Sequence, residues 1–416
     1  MKKTARFRRR FHLPLPALRS LLPALPFLAC WACGTESVGS GPVVRDSAGV
    51  TIVENALPLW PEGSGWRVAD APTLDIGVVD GEPAYQFFRV AGAERMADGR
   101  IAVANAGTSE VRFFDSEGRF LSATGGKGGG PGEFEGLGWL HSAPGDSLLA
   151  YDWLSRRVSV LAPSGEFARS FVLTILTAAT GLPAAADVFP DGALLLGVDM
   201  FLATGEVVTG AARDSAVYYV LDSQGTVRDT LGVFPGGSSY QTNDGENWVG
   251  GGLVFGPVGQ AAVRGDDWVY GAADTYELEV RSRSGHLEGL IRLDFERLPV
   301  TQEHVDTYVA GRMSRARDEE RRRIYRTMYE NMPFPDRMPA YDGLVVDSEG
   351  CLWVAEYRAP GDDQPLWRVF DPEGAYLGMV ETPKRFRVFR IGPDYILGRW
   401  ADDQDVEHVR MYDLLR

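Results

Sequence analysis

The sequence predicts an all-β protein: a six-bladed β-propeller, closed into a ring by an N-terminal strand, with a helical insertion between blades 4 and 5. Three observations predict it: a repeated pair of strand-like segments, a glycine-rich junction between two repeats, and a last repeat that ends one strand short. The segments alternate apolar and polar residues, are rich in β-branched and aromatic residues, and are bounded by turn residues. One such meander cannot bury both of its faces, so several must pack around a common axis.

The repeat occurs six times between residues 96 and 416. Each copy joins a Gly/Asp turn and an apolar strand to a second strand, and three copies then have a D-x-x-G turn. In that turn the Asp side chain accepts hydrogen bonds and the glycine tolerates positive φ. The copies begin with MADGRIAVAN (96–105), APGDSLLAYD (143–152), FPDGALLLG (189–197), VRGDDWVYGA (263–272), DSEGCLWVAEY (347–357) and IGPDYILGRW (391–400).

The two ends of the repeated region predict how the ring closes. The sixth copy stops at Arg416, directly after its third strand. The segment APTLDIGVVDGEPAYQFFRV (71–90) has the same order of strand, glycine, turn and aromatic residue that joins the first two repeats. We expect Thr73–Gly77 to supply the missing outer strand, because an open ring would leave two unpaired edges. The propeller domain is therefore predicted to span 71–416.

The junction TGGKGGGPGEFEGLGWL (124–140) has seven glycines from Gly125 to Gly136. A P-loop would need Ser or Thr directly after Lys127, where Gly128 stands, and a dinucleotide site would need a following helix. We interpret the junction as a hinge where the chain crosses from the outer strand of one blade to the inner strand of the next. Its GxGPGEF portion resembles the junctions of NHL-repeat propellers, and the whole plan of the chain resembles the bacterial six-bladed propeller lipoproteins.

The N-terminal 33 residues differ from the rest of the chain. Residues 1–19 carry seven basic residues and no acid, and LLPALPFLACWAC follows, which is too short to span a bilayer as a stable helix. This pattern predicts a secretory signal, although a core segment or a membrane anchor is the other interpretation. Its cysteine-containing end resembles a bacterial lipobox. That resemblance implies lipidation of Cys33, or alternatively Cys30, with 34–70 as a tether and lead-in.

These features predict an exported lipoprotein of the cell envelope, on the outer membrane and facing the periplasm. If cleavage is at Cys33, the mature chain loses seven positive charges and no acid, so the formal charge falls from −15 to −22. Such a surface repels nucleic acid and anionic lipid heads. We therefore expect an envelope protein or a small ligand as the partner, no nucleic acid, and membrane contact only through acyl chains. Cys351 would remain alone, as a buried and inert thiol.

Two departures from the repeat are candidate interaction elements. Residues 298–338 have a helical pattern, with Thr301 as a predicted N-cap, and contain RARDEERRRIYR. That charged run is either a solvated helix face or a surface that docks a partner or covers the channel. The second departure, residues 232–256, is either a mobile loop or a binding loop. Its candidate ligand-contacting residues are Tyr240, Asn243, Asp244 and Trp248.

Alignment of the repeats places Glu94, His141 and Asp187 at equivalent inner-strand positions of the first three blades. The other blades have Ala261, Val345 and Phe389 there, and Asp342 is a further acid at the channel mouth. A Glu/His/Asp set can hold a divalent metal such as Ca²⁺ or Zn²⁺ or transfer protons, or it can be purely structural.

Six-bladed relatives of the resembled group include calcium-dependent lactonases and zinc-dependent lyases. The sequence has no H-E-x-x-H pair and no G-x-S-x-G elbow. We therefore predict a protein- or ligand-binding module. The alternative is a metal-dependent hydrolase or lyase at the channel mouth, which requires the four candidate side chains to converge on one point.

Overall fold

The computed structural model describes residues 41–175, 182–200, 209–243 and 248–416. The predicted all-β class is confirmed: the described residues form 28 strands and two α-helices. Six sheets contain these strands, and each sheet is built on an antiparallel meander of consecutive strands.

The first half of the chain forms three of the sheets. The first sheet contains β5 (Val90–Arg95), β6 (Ile101–Asn105), β7 (Glu110–Phe114) and β8 (Phe120–Gly125). The second contains β9 (Leu137–Ala143), β10 (Ser147–Asp152), β11 (Arg157–Leu161) and β12 (Phe167–Val172). The third contains β13 (Leu182–Val188), β14 (Leu194–Asp199), β15 (Gly210–Leu221), β16 (Val227–Asn243) and β17 (Trp248–Gly252).

The second half forms the other three. The fourth sheet contains β18 (Gln260–Arg264), β19 (Asp267–Gly271), β20 (Glu277–Ser282) and β21 (Leu287–Leu293). The fifth contains β22 (Tyr341–Val346), β23 (Leu352–Glu356), β24 (Leu366–Phe370) and β25 (Tyr376–Glu381). The sixth contains β26 (Phe386–Ile391), β27 (Tyr395–Ala401) and β28 (Glu407–Leu415).

The first strands of the sheets are spatial neighbours in cyclic order: β5, β9, β13, β18, β22, β26 and again β5. An apolar cluster fills each of the six interfaces between successive sheets. Phe113 and Leu148 meet in this way between the first and second sheets, and both are buried. Each sheet is thus covered on both faces. A closed circle of meander sheets is the arrangement of a β-propeller.

The sixth sheet is completed from the N-terminal side, as the sequence predicts. Strand β4 (Leu74–Ile76) pairs antiparallel with β28, and Leu74, Asp75 and Ile76 lie opposite Met411, Arg410 and Val409. A two-residue strand, β3 (Arg67–Val68), pairs with the end of β28. Backbone hydrogen bonds between the two ends of the domain therefore hold the circle closed.

Part of the predicted lead-in has a structural role that the sequence analysis missed. Strands β1 (Val43–Ser47) and β2 (Val50–Asn55) form a hairpin, and β2 joins the fourth sheet parallel to β21. The buried side chain of Asn55 donates to the carbonyls of Arg292 and Gly374, at 3.1 and 3.0 Å, and accepts from the backbone N–H of Tyr376 at 2.8 Å. The segment 43–55 thus links the fourth and fifth sheets and is not only a tether.

Two helices lie between β21 and β22. They are α1 (Gln302–Ser314) and α2 (Glu319–Asn331). The hydroxyl of Thr301 accepts from the backbone N–H of His304 and so caps α1, as predicted. Buried side chains of both helices, including Val305 and Met328, pack on β16, β17 and the segment that follows them. Among the described residues, no helix is both long enough and apolar enough to cross a membrane.

The glycine junction connects β8 of the first sheet to β9 of the second. Gly125 and Gly126 have φ values of 120° and 129°. A Cβ on Gly125 would lie 2.7 Å from the carbonyl oxygen of Ser109. Position 125 therefore requires glycine, both because its φ is positive and because a side chain would clash. The hinge interpretation agrees with this geometry.

Candidate functional site

A cavity of about 870 Å³ opens where the inner strands end. Its size is within the range of small-molecule sites. All six sheets contribute to its wall. The inner-strand residues that matter for its chemistry are Glu94, His141, Asp187, Ala261, Val345 and Arg390.

Three of the predicted site residues meet around one arginine. The guanidinium of Arg390 donates from Nε to Oε1 of Glu94 at 2.6 Å. Its Nη2 lies 2.5 Å from Nδ1 of His141. A carboxylate oxygen of Asp187 is 3.6 Å from the same imidazole nitrogen, too far for a hydrogen bond. The four side chains belong to four different sheets, so only the closed ring brings them together.

The hydrogen bond to Arg390 determines the protonation state and the tautomer of His141. A guanidinium only donates hydrogen bonds, so Nδ1 must accept and the proton of the neutral ring must sit on Nε2. Burial, and then the charge of Arg390, hold the pKa of His141 well below its usual value. Among the described residues no hydrogen-bond partner is seen for Nε2, and His141 lines the cavity. Trp139 packs edge-on against the ring, with centroids 4.8 Å apart.

The two carboxylates are held in different ways. Burial raises the pKa of Glu94, and the ion pair with Arg390 offsets part of that rise. Burial also raises the pKa of Asp187, with Arg390 again opposing it. The carboxylate of Asp187 accepts hydrogen bonds from the backbone N–H of the next residue, Val188, and from that of Val263 on β18, each at 2.8 Å. Asp187 therefore ties the third sheet to the fourth and also faces the cavity.

Sequence alignment of the repeats missed Arg390 by one residue. It placed Phe389 at the inner-strand position, but β26 has a register shift between Val388 and Arg390, so Phe389 is the extra residue of a β-bulge. A bulge moves every later side chain to the other face of the strand. The other signal for Arg390 was chemical: Glu94 and Asp187 on a buried ring need a nearby cation.

Asp342 does not join this cluster. It lies at the start of β22 and lines a different cavity, of about 840 Å³, whereas Glu94 lies near the end of β5. The prediction that Asp342 shares one site with the other three candidates is therefore wrong. The sequence shows that an acidic residue is next to a strand, but only the folded structure shows at which end of the ring that residue lies.

The residues present do not fit a divalent metal. Oε1 of Glu94 and Nδ1 of His141 both contact the guanidinium of Arg390, and its positive charge would repel a metal cation bound beside it. In the described ranges, no three His, Cys, Asp or Glu side chains are placed to hold one ion. Arg390 supplies, as a fixed part of the protein, the positive charge that these acids require.

The predicted binding loop is largely part of the sheet. Tyr240 is buried among the side chains of the two helices, so it does not present its ring to a ligand. Asn243 and Trp248 are paired across the β16–β17 hairpin, and the side chain of Trp248 is half exposed. Asp244 and both candidate lipidation sites, Cys33 and Cys30, lie outside the described residues. The long segment was identified, but its main structural role is to support the helices.

Cys351 has the environment that the sequence predicts. It is free and buried, and burial together with the neighbouring acids raises its pKa to about 12. A thiol that stays protonated at neutral pH is a poor nucleophile.

No known protein family matches the sequence, and no curated protein matches it. Similar solved structures include a protein of Bacteroides fragilis described as exported: identity is 12%, coverage 88% of this chain and 100% of that one, and the TM-score 0.49. A member of the DUF4221 family from Bacteroides vulgatus is 10% identical over 83% of this chain and 97% of its own, with a TM-score of 0.48. The calcium-binding protein regucalcin of Agrobacterium tumefaciens is 14% identical over 80% and 92%, with a TM-score of 0.39.

Proposed function

We propose that this chain is an exported six-bladed β-propeller lipoprotein, with NHL-like junctions, that binds a small polar ligand in the cavity around Arg390. The observation that carries the proposal is the buried network of Glu94, Arg390 and His141 at the wall of a ligand-sized cavity. A buried polar group lowers stability unless it forms hydrogen bonds. Here side chains from three sheets form those hydrogen bonds with one another, at a position that solvent can reach.

The network suits binding better than metal-dependent hydrolysis, the alternative function. Arg390 already supplies the cation, and its guanidinium cannot act as a proton-transferring acid or base near neutral pH. The N–H of His141 and the oxygens of Asp187 offer a donor and acceptors to a ligand hydroxyl, amide or carbonyl. These groups are held on strands rather than on loops, which keeps the site preorganised.

The experiment is ligand retention by the purified protein. The protein would be incubated with a small-molecule extract, passed through a desalting column and denatured, and the released compounds identified by mass spectrometry. We expect a retained compound that is lost in His141→Phe, which removes both ring nitrogens. Equal retention by His141→Phe, or none by the unaltered protein, would refute the proposed site. Stoichiometric Ca or Zn in the purified protein would favour the hydrolase or lyase instead.

We further propose that Cys33 carries the lipid and tethers the domain to the outer membrane, where it faces the periplasm. This rests on the sequence pattern alone. Metabolic labelling with a fatty-acid analogue should mark the protein, and Cys33→Ala should abolish the label. If Cys30→Ala abolishes it instead, the alternative cysteine is the lipidated one. An envelope protein remains the other class of partner, and capture by a variant lacking 298–338 would show whether the helices contribute to that binding.

A further inference from the structure

Arginines are concentrated at the opposite end of the ring from the cavity around Arg390. Two neighbouring cavities, of about 840 and 380 Å³, share Arg387 and Arg399 in their walls. The larger one is also lined by Arg315, Arg358 and Arg385, and the smaller one by Arg89. This concentration is unexpected in a chain whose formal charge is −15.

Arg387 and Arg399 lie directly opposite each other on β26 and β27. Like charges at opposed positions of an antiparallel pair are destabilising. Glu407 accepts from Arg399 at 2.9 Å, and its other oxygen accepts from the backbone N–H of Val90 at 2.7 Å. The carboxylate of Glu407 therefore binds Arg399 and the backbone, and it forms no ion pair with Arg387.

Several guanidinium groups of these cavities have no protein partner. Among the described residues, the guanidinium groups of Arg89, Arg358 and Arg387 form neither an ion pair nor a hydrogen bond, and Nε of Arg399 is buried without an acceptor. The guanidinium of Arg387 only stacks near the ring of Phe389, 5.6 Å from its centroid. Burial, and then the charge of Arg399, lower the pKa of Arg387. The charges of Asp342 and Glu407 oppose that fall, but neither carboxylate forms an ion pair with Arg387.

The described acids in the same walls do not pair with Arg89, Arg358 or Arg387. Glu356 is paired with Arg368, and Asp405 with Arg385. Asp342 forms no ion pair with a described residue, and burial raises its pKa, although Arg358 and Arg387 oppose that rise. The cavity thus combines one isolated acid with several uncompensated cations.

We propose that this cavity binds a small organic anion whose carboxylate or phosphate group lies between Arg387 and Arg399. A planar guanidinium fork matches two oxygens of either group. Arg358, on the β23–β24 connection, lines the same cavity. Leu366 and Trp367 also line the larger cavity and offer apolar contacts for the body of the ligand. This inference is independent of the function proposed for the Arg390 cavity.

The test compares probes of one shape and different charge. Benzoate, phenyl phosphate and neutral benzyl alcohol would be titrated into the purified protein by calorimetry at constant ionic strength. At least one anionic probe should bind, and benzyl alcohol should not. The preferred anion identifies the head group as carboxylate or phosphate. If neither anion binds more tightly than benzyl alcohol, the proposal is overturned.

Variants locate the binding. Arg387→Gln should weaken binding of the preferred anion about tenfold or more, as expected for loss of one charge-assisted hydrogen bond. Arg67→Gln removes the same charge from an exposed residue that lines neither cavity, and it should leave affinity unchanged. Arg387→Gln should also raise the melting temperature without ligand, because it removes the repulsion from Arg399. Unchanged affinity in both Arg387→Gln and Arg358→Gln would refute the site.

Discussion

Replacement of Arg390 by Met gives the sharpest test of the central ion network. The change removes the guanidinium but keeps most of the apolar volume, so Glu94 stays buried with 3% of its side chain exposed and without its cation. Removing one partner of a buried ion pair typically costs about 3–5 kcal/mol. Arg390 itself is 28% exposed toward the cavity, so water can relieve part of the loss. We therefore expect the lower end, about 3 kcal/mol of unfolding free energy at about pH 8.

The loss should depend on pH. Burial raises the pKa of Glu94 in the folded protein above its ordinary value of 4.5, so the folded state holds this proton to higher pH than the unfolded chain does. The cost of ionising Glu94 is absent below the unfolded pKa and complete above the folded pKa. Without Arg390 that cost grows. The destabilisation should therefore be small near pH 4.5 and should increase as the pH rises.

Urea unfolding at both pH values measures the effect. Arg119→Met is the control: Arg119 is 70% exposed and pairs with Asp115 at 2.7 Å, so its loss should cost less than about 1 kcal/mol. The double variant Glu94→Gln/Arg390→Met should recover most of the stability, because the buried charge of Glu94 is then removed together with its cation. A loss below about 1 kcal/mol at pH 8, or an equal loss at both pH values, would refute the reasoning.

Two further substitutions test the elements outside the central ring. Asn55→Ala removes three hydrogen bonds between the N-terminal hairpin and its neighbours and should lower the free energy of unfolding by about 2–3 kcal/mol. As a control, Asn331→Ala changes an exposed residue and should cost less than about 0.5 kcal/mol. Equal effects of the two changes in urea unfolding would contradict a structural role for the hairpin. Met328→Ala leaves a cavity beneath α2 and should lower the free energy of unfolding by about 2–5 kcal/mol. As a control, Met379→Ala changes a half-exposed residue of β25 and should have little effect. Thermal unfolding of both variants distinguishes a packed helix from a loosely attached one.

The local pattern of the chain determined most of the fold. Alternating strands and D-x-x-G turns are short-range features, and they form as predicted: Asp115 accepts from the N–H groups of Glu117 and Arg119, and Gly118 has a positive φ. The closure between Leu74–Ile76 and β28 was also predictable, because an incomplete last repeat leaves one strand to be supplied. The same reasoning missed the hairpin 43–55, which lies outside the repeat.

Only the tertiary structure decided which charged side chains meet. Glu94, His141 and Asp187 were identified as equivalent positions, but their shared partner Arg390 depends on a one-residue bulge at Phe389, which reverses the faces of the strand. Asp342 has the same residue chemistry as Asp187 and yet lies at the other end of the ring. Local conformation depends on neighbouring residues, so it can be predicted from the sequence. Whether two charged side chains interact depends on the distance between residues hundreds of positions apart, and only the closed ring determines that distance.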